Sequence, residues 1–152
     1  MYRVLIVDDY EPWRLQLGST IEANGRWLLV GVAADGASAV EQARALRPDL
    51  ILLDVTLPSL NGIEAAQRIL AENPGLRILF LSEHHSCDIV DAAIATGARG
   101  YVVKTDVARE LFPAMEAVVG GRSFISRSAR STAIAPNRGI ARPRVPKPPF
   151  EG

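Results

Sequence analysis

Five short apolar runs punctuate the chain, and each is followed by a stretch whose apolar residues recur at helical spacing. The runs are Val4-Leu5-Ile6-Val7, Trp27 to Val32, Leu50-Ile51-Leu52-Leu53, Ile78-Leu79-Phe80-Leu81 and Tyr101-Val102-Val103. Apolar runs of this length, bounded by turn residues, fit strands buried on both faces, as parallel strands are. The helical stretches carry Trp13, Leu17 and Ile21; Val40, Ala43 and Leu46; Ile63, Ala66, Ile69 and Leu70; Val90, Ala93, Ile94 and Gly97; and Val107, Leu111, Ala114 and Val118. Gly25, Pro48, Pro74 and Gly97 stand near the expected helix ends, and Pro12 sits in a first turn, where proline is tolerated. Strict alternation of this kind predicts an α/β domain over residues 1–122, a doubly wound (βα)5 with five parallel strands. Each right-handed crossover then lays a helix on a face of the sheet.

Parallel strands point the same way, so the residues that follow the apolar runs converge on one sheet edge, where open α/β sheets place their ligand sites. Reading them off gives Asp8 and Asp9 after the first strand, Asp54 after the third, Ser82 after the fourth and Lys104 after the fifth. Each has a plain structural alternative. Asp8, Asp9, Asp54 and Ser82 could cap the turn or helix that follows, and Lys104 could be a solvated strand end. Taken together they point to chemistry. Two carboxylates about 4 Å apart repel by about 4 kcal/mol at an effective dielectric near 20, so such a cluster needs a cation or shifted protonation. Lys104 supplies one charge, and a divalent metal would supply the rest. All-oxygen ligands without His or Cys suit Mg²⁺, and a site of this kind stabilises a phosphoryl group in transit, with a carboxylate as nucleophile.

These positions also carry a family resemblance. Val7-Asp8-Asp9, Leu52-Leu53-Asp54-Val55-Thr56-Leu57-Pro58 with Asn61-Gly62, Leu81-Ser82, and Gly97-Ala98-Arg99-Gly100-Tyr101-Val102-Val103-Lys104 together resemble the receiver domain of two-component response regulators. The resemblance implies a flavodoxin-like sheet with strand order 2-1-3-4-5, and Asp54 as the acceptor of phosphate from a histidine kinase or phosphotransfer protein. It further implies Mg²⁺ held by Asp9, Asp54 and the main-chain carbonyl of Thr56, with Asp8 assisting. Lys104 would pair with the acyl phosphate, and the Ser82 hydroxyl would move to bond a phosphoryl oxygen. Tyr101, alternatively an ordinary strand aromatic, takes the switch position that turns inward as Ser82 moves, and roughly residues 84–120 form the output surface toward a downstream protein. Two positions depart from the common pattern. Glu83 stands where receivers usually have a small residue guarding the site, and Thr105 stands where many have a proline after a cis bond. Thr56 and His84 hold positions that tune dephosphorylation in the family. His84 and His85 themselves are expected to be solvated.

Beyond Gly120-Gly121 the pattern dissolves. Residues 127–152 hold six basic residues against Glu151, a net charge of +5, while residues 1–126 hold eleven against sixteen acids, a net −5. With its prolines and serines, 123–152 reads as a basic, disordered tail, whose Pro143, Pro146 and Pro149 could suit a polyproline-binding partner. The segment Ala114 to Ser126 is similar to those that precede a LuxR-type helix-turn-helix domain, yet nothing after it has the periodicity of one, which argues against nucleic acid as a partner. A homodimer is left open. One cysteine, Cys87, and no long apolar run give the expectation of a cytoplasmic protein with no disulfide and no membrane contact.

The reading is therefore a phosphorylation-activated signalling switch, not an enzyme beyond self-dephosphorylation. Its alternatives are a phosphorylation-independent interaction module, and a DNA-binding regulator that has lost its helix-turn-helix domain. A haloacid-dehalogenase-like phosphatase needs a second Asp where Thr56 stands. A dinucleotide-binding domain needs a Gly-x-Gly-x-x-Gly where Asp8-Asp9 stand.

Overall fold

The computed structural model describes residues 1–130. Its elements run β1 (Tyr2–Val7), α1 (Glu11–Asn24), β2 (Trp27–Ala33), α2 (Gly36–Leu46), β3 (Leu50–Leu53), α3 (Gly62–Glu72), β4 (Arg77–Ser82), α4 (Cys87–Ala95), β5 (Gly100–Val103), α5 (Val107–Val119) and β6 (Phe124–Ile125). The strands form one parallel sheet in the order β2-β1-β3-β4-β5-β6.

Period-two alternation along the buried strands explains the layering. Leu5, Val7, Ile51, Leu53, Ile78, Phe80, Tyr101 and Val103 face one side and pack with Ala43, Ala66, Ile69 and Ala93 of α2, α3 and α4. Val4, Ile6, Leu50, Leu52, Leu79, Leu81 and Val102 face the other and pack with Leu17 and Ile21 of α1 and Leu111, Ala114 and Val118 of α5. All four residues of β3 are buried, so both faces of the central strand are sealed and its end is fixed.

Local chemistry ends the helices where the punctuation places it. Gly25 caps α1 in the left-handed conformation at φ 85°, and its amide bonds the Glu22 carbonyl. Asp35 and Asn61 cap α2 and α3 by accepting from the amides of Ser38 and Glu64.

The sheet differs from the sequence expectation in one respect. It has a sixth strand, β6, placed against β5 so that Gly100 pairs with Phe124 and Tyr101 with Ile125. Two apolar residues are too few to show a period, so only the open edge of β5 reveals where they go. The Ser126 hydroxyl then accepts from the Val103 amide at 2.9 Å, and its amide donates to the Tyr101 carbonyl at 2.8 Å. Residues 127–130 are helical, Ala129 is buried, and Asp106 receives the Ser128 amide and hydroxyl at 2.9 and 3.0 Å. The chain thus stays in the fold past residue 122. The Pro-rich basic stretch lies outside the described residues. No helix among those described is long and apolar enough to cross a membrane.

Candidate functional site

Strand register builds the site. Val7 pairs with Leu53, Leu53 with Phe80, and Ser82 with Val103, so the residues that follow, together with Ser82 itself, meet at the carboxyl edge. The backbone extends this order one step: the Asp8 amide bonds the Ala33 carbonyl and the Asp54 amide the Val7 carbonyl, each at 3.0 Å. The loop after Asp54 is tight because the Gly62 amide returns to the Val55 carbonyl at 2.7 Å, and a Cβ at Gly62 would overlap the Asp54 carbonyl.

Asp8, Asp54 and Ser82 are buried and Asp9 is exposed. The Lys104 ammonium sits between the two buried carboxylates, 2.7 Å from Asp8 Oδ2 and 3.3 Å from Asp54 Oδ2. Carboxylate oxygens of Asp8, Asp9 and Asp54 all lie within 4.8 Å of one another. Burial pushes the Asp54 carboxyl up to about 6, with the nearby Asp8 charge adding to the rise and Lys104 opposing it. Burial pulls Lys104 down, but its hydrogen bond to Asp8 and the charges of Asp54 and Asp8 outweigh that and hold the ammonium above its ordinary value. Three carboxylates against one ammonium leave negative charge unbalanced. Hard oxygen donors at this spacing fit Mg²⁺, which keeps part of its water shell and takes few carboxylates.

A cavity of about 460 Å³ opens over these groups, lined by Asp8, Asp9, Tyr10, Asp54, Thr56, Glu83, His84 and Lys104. Glu83 is exposed on its rim. The Thr56 amide donates to Asp54 Oδ1 at 3.4 Å. Ser82 lies beneath, its Oγ accepting from the His84 amide at 3.1 Å. Tyr101 is fully buried, tilted against Phe80, and its hydroxyl donates to the His84 carbonyl at 2.7 Å. Burial pushes its phenol up to about 12.

Four simpler readings meet the geometry. The residue at the α1 N-cap is Tyr10, without a side-chain cap, and Asp8 spends only Oδ1 on the Tyr10 amide at 2.9 Å. Ser82 does not cap α4, whose N-cap is Ser86. Lys104 is ion-paired rather than solvated, and Lys104–Asp106 form a single 3-10 turn with no cis bond among the described residues. His84, expected in solvent, is half-buried instead, and its Nε2 lies 2.8 Å from Thr56 Oγ1. The sequence reading also missed the Trp13 ring, whose centroid is 4.9 Å from the Lys104 ammonium. Its helical spacing with Leu17 and Ile21 marked it only as core.

Residues 4–116 match the model of the response regulator receiver domain. The chain belongs to the response regulator receiver family. This receiver is 38% identical to the DNA-binding transcriptional activator DevR/DosR of Mycobacterium tuberculosis over 146 residues, which cover 96% of this chain and 67% of that protein. It is 34% identical to protein CcdB of Bacillus subtilis over 79% of this chain and 99% of that one. The crystal structure of a LuxR-family two-component response regulator from Aurantimonas sp. SI85-9A1 superposes with a TM-score of 0.84 at 32% identity, covering 88% of this chain and 95% of that one. The receiver spans little more than half of some other curated relatives, 57% in the case of the transcriptional regulatory protein LiaR of B. subtilis. It is accordingly a signalling switch of a two-component system. Receivers are phosphoacceptors, generally not enzymes, and act with histidine kinases or phosphotransfer proteins.

Proposed function

We propose that Asp54 is the phosphoacceptor of this receiver and that the site signals through the surface of α4, β5 and α5. The observation that carries the reading is the buried Asp54 carboxylate at the end of β3, 3.3 Å from the Lys104 ammonium and beside two further carboxylates. In the forward step an Asp54 Oδ attacks the phosphorus of a phosphohistidine. The new O–P bond forms as the N–P bond breaks, and the departing imidazole nitrogen takes a proton from solvent. Asp54 must be ionised to attack, and Lys104 opposes the burial that would protonate it. Asp8, Asp9, Asp54 and the Thr56 carbonyl would hold Mg²⁺, which when bound supplies positive charge to the phosphoryl oxygens.

Lys104 stabilises the product by pairing with a phosphoryl oxygen. The Ser82 hydroxyl, which accepts from the His84 amide and is also bonded to the Tyr101 phenol, exchanges the phenol for another phosphoryl oxygen as its donor target. Because Tyr101 bonds the carbonyl of that same His84, a shift of the 82–84 segment reaches both the switch aromatic and the loop leading into α4. Phosphorylation biases the output surface only by as much as these contacts favour one arrangement.

The test is intact-mass spectrometry of the full chain after incubation with a small phosphoramidate donor, with and without Mg²⁺. One labile phosphoryl addition, Mg²⁺-dependent and absent in Asp54→Ala, is expected. An addition that persists in Asp54→Ala, or none from either small donors or kinases, overturns the reading.

A further inference from the structure

Lys104 is held on three sides. Asp8 and Asp54 take two of them through ion pairs at 2.7 and 3.3 Å. On the third side its ammonium lies over the Trp13 ring, 4.9 Å from the centroid, within the range of a cation–π contact. Trp13 comes from the first turn of α1, four residues after Asp9, so one short segment delivers both an acidic member of the site and the ring. Lys104 also lines two cavities: the one over the carboxylates, and a second of about 370 Å³ between α1 and α5, bounded by Trp13, Leu17, Val107 and Phe112. The ring and the ammonium therefore stand at the partition between them. The lysine stem is flexible and carries several rotamers, and the ion pairs alone fix only its head.

We propose that Trp13 is a positioning residue for phosphoryl transfer: its ring holds the Lys104 ammonium toward Asp54 and away from the α1–α5 cavity. This rests on the assignment of Asp54 and Lys104 above. Asp8 and Asp54 draw the ammonium toward the site, and the ring face blocks the rotamers that lead out of it. The ring attracts the cation through its π-face, which an aliphatic side chain of similar bulk cannot do. Phenylalanine keeps the face, and leucine keeps only the bulk.

The experiment measures the rate of Mg²⁺-dependent phosphoryl uptake from phosphoramidate by the full chain, for wild type, Trp13→Phe, Trp13→Leu, Lys104→Met and the double variant Trp13→Leu/Lys104→Met. A cation–π contact of ordinary strength predicts a rate about 3- to 10-fold lower in Trp13→Leu and within about 2-fold of wild type in Trp13→Phe. With Lys104 gone the ring has no ammonium to hold, so Trp13→Leu should add nothing to Lys104→Met. A ring that served packing alone would lower the rate equally in both backgrounds, or make Phe as poor as Leu, and either result overturns the proposal.

A second readout does not depend on phosphorylation. The chain has two tryptophans, Trp13 and Trp27, so the difference between wild-type and Trp13→Phe emission isolates Trp13. Lys104→Met should shift emission when Trp13 is present and leave it unchanged in the Trp13→Phe chain. If wild type takes up no phosphate, the phosphoacceptor reading fails. The emission arm then decides whether Trp13 holds Lys104, and an unchanged spectrum overturns that contact.

Discussion

Replacing Asp54 by asparagine should stabilise the metal-free protein near neutral pH. Burial raises the Asp54 pKa from 3.8 to about 6, so the fold prefers the protonated carboxyl. A raised carboxylate contributes its stability fully below the unfolded value and loses it as pH rises through the folded one. At about 1.36 kcal/mol for each tenfold change in proton affinity, a rise from 3.8 to about 6 makes the ionised form roughly 3 kcal/mol unfavourable in the fold above pH 6. The carboxamide of the variant cannot ionise, so Asp54→Asn should gain up to about 3 kcal/mol at pH 7.5, and about half of that at pH 5, since linkage closes the gap between pH 6 and 3.8. For a chain of this size the gain at pH 7.5 is a rise in melting midpoint of roughly 10 °C. Urea melts of both proteins at pH 5 and pH 7.5, without divalent cations, read the difference directly. Mg²⁺ in excess should then stabilise wild type and leave the variant nearly unmoved, because ligand binding to the folded state alone adds stability. A variant no more stable than wild type at pH 7.5, or a gain that grows toward pH 5, would refute the account of the site as a strained cluster of carboxylates.

Other consequences follow from single contacts. Tyr101→Phe removes the hydroxyl that donates to the His84 carbonyl and should cost about 1 kcal/mol in a urea melt. In an ultraviolet titration, one of the three tyrosines should ionise only near pH 12 in wild type, with stability falling between pH 10 and 12, and this late step should vanish in Tyr101→Phe. Gly62→Ala puts a methyl into the Asp54 carbonyl, so the phosphoacceptor loop must shift. A loss of about 1–3 kcal/mol is expected, with phosphoryl uptake falling alongside it. Asp106→Ala removes two bonds to Ser128, and trypsin should then cut after Arg127 and Arg130 sooner than in wild type while the melt of the body barely changes.

What the sequence showed and what it hid divide along a physical line. β1 to β5 were legible because each is an apolar run between turn residues, and the site followed from them: in a parallel sheet, position after a strand is position at the edge. Asp8, Asp54, Ser82 and Lys104 needed no further information to be brought together. β6 was not legible, since Phe124 and Ile125 acquire meaning only from the open ladder of β5. Trp13 was read by its own element, as a helix-face apolar residue, and His84 as a solvated imidazole at a position that the resemblance ties to dephosphorylation. Their contacts in the fold are with Lys104 and Thr56, 91 and 28 positions away in the chain. Periodicity describes which face a residue occupies, and a tryptophan at the first turn of α1 has one edge in the core and one ring face toward the site.

The central claim is that Asp54 itself carries the phosphoryl group, and chemical trapping tests it most directly. The full chain is phosphorylated with phosphoramidate and Mg²⁺, reduced with borohydride, which converts an aspartyl phosphate to homoserine, and mapped by peptide mass spectrometry. The account predicts homoserine at position 54, dependent on both donor and Mg²⁺. Homoserine at Asp8 or Asp9, or an unreduced position 54 in a sample that intact mass shows to be phosphorylated, would contradict it.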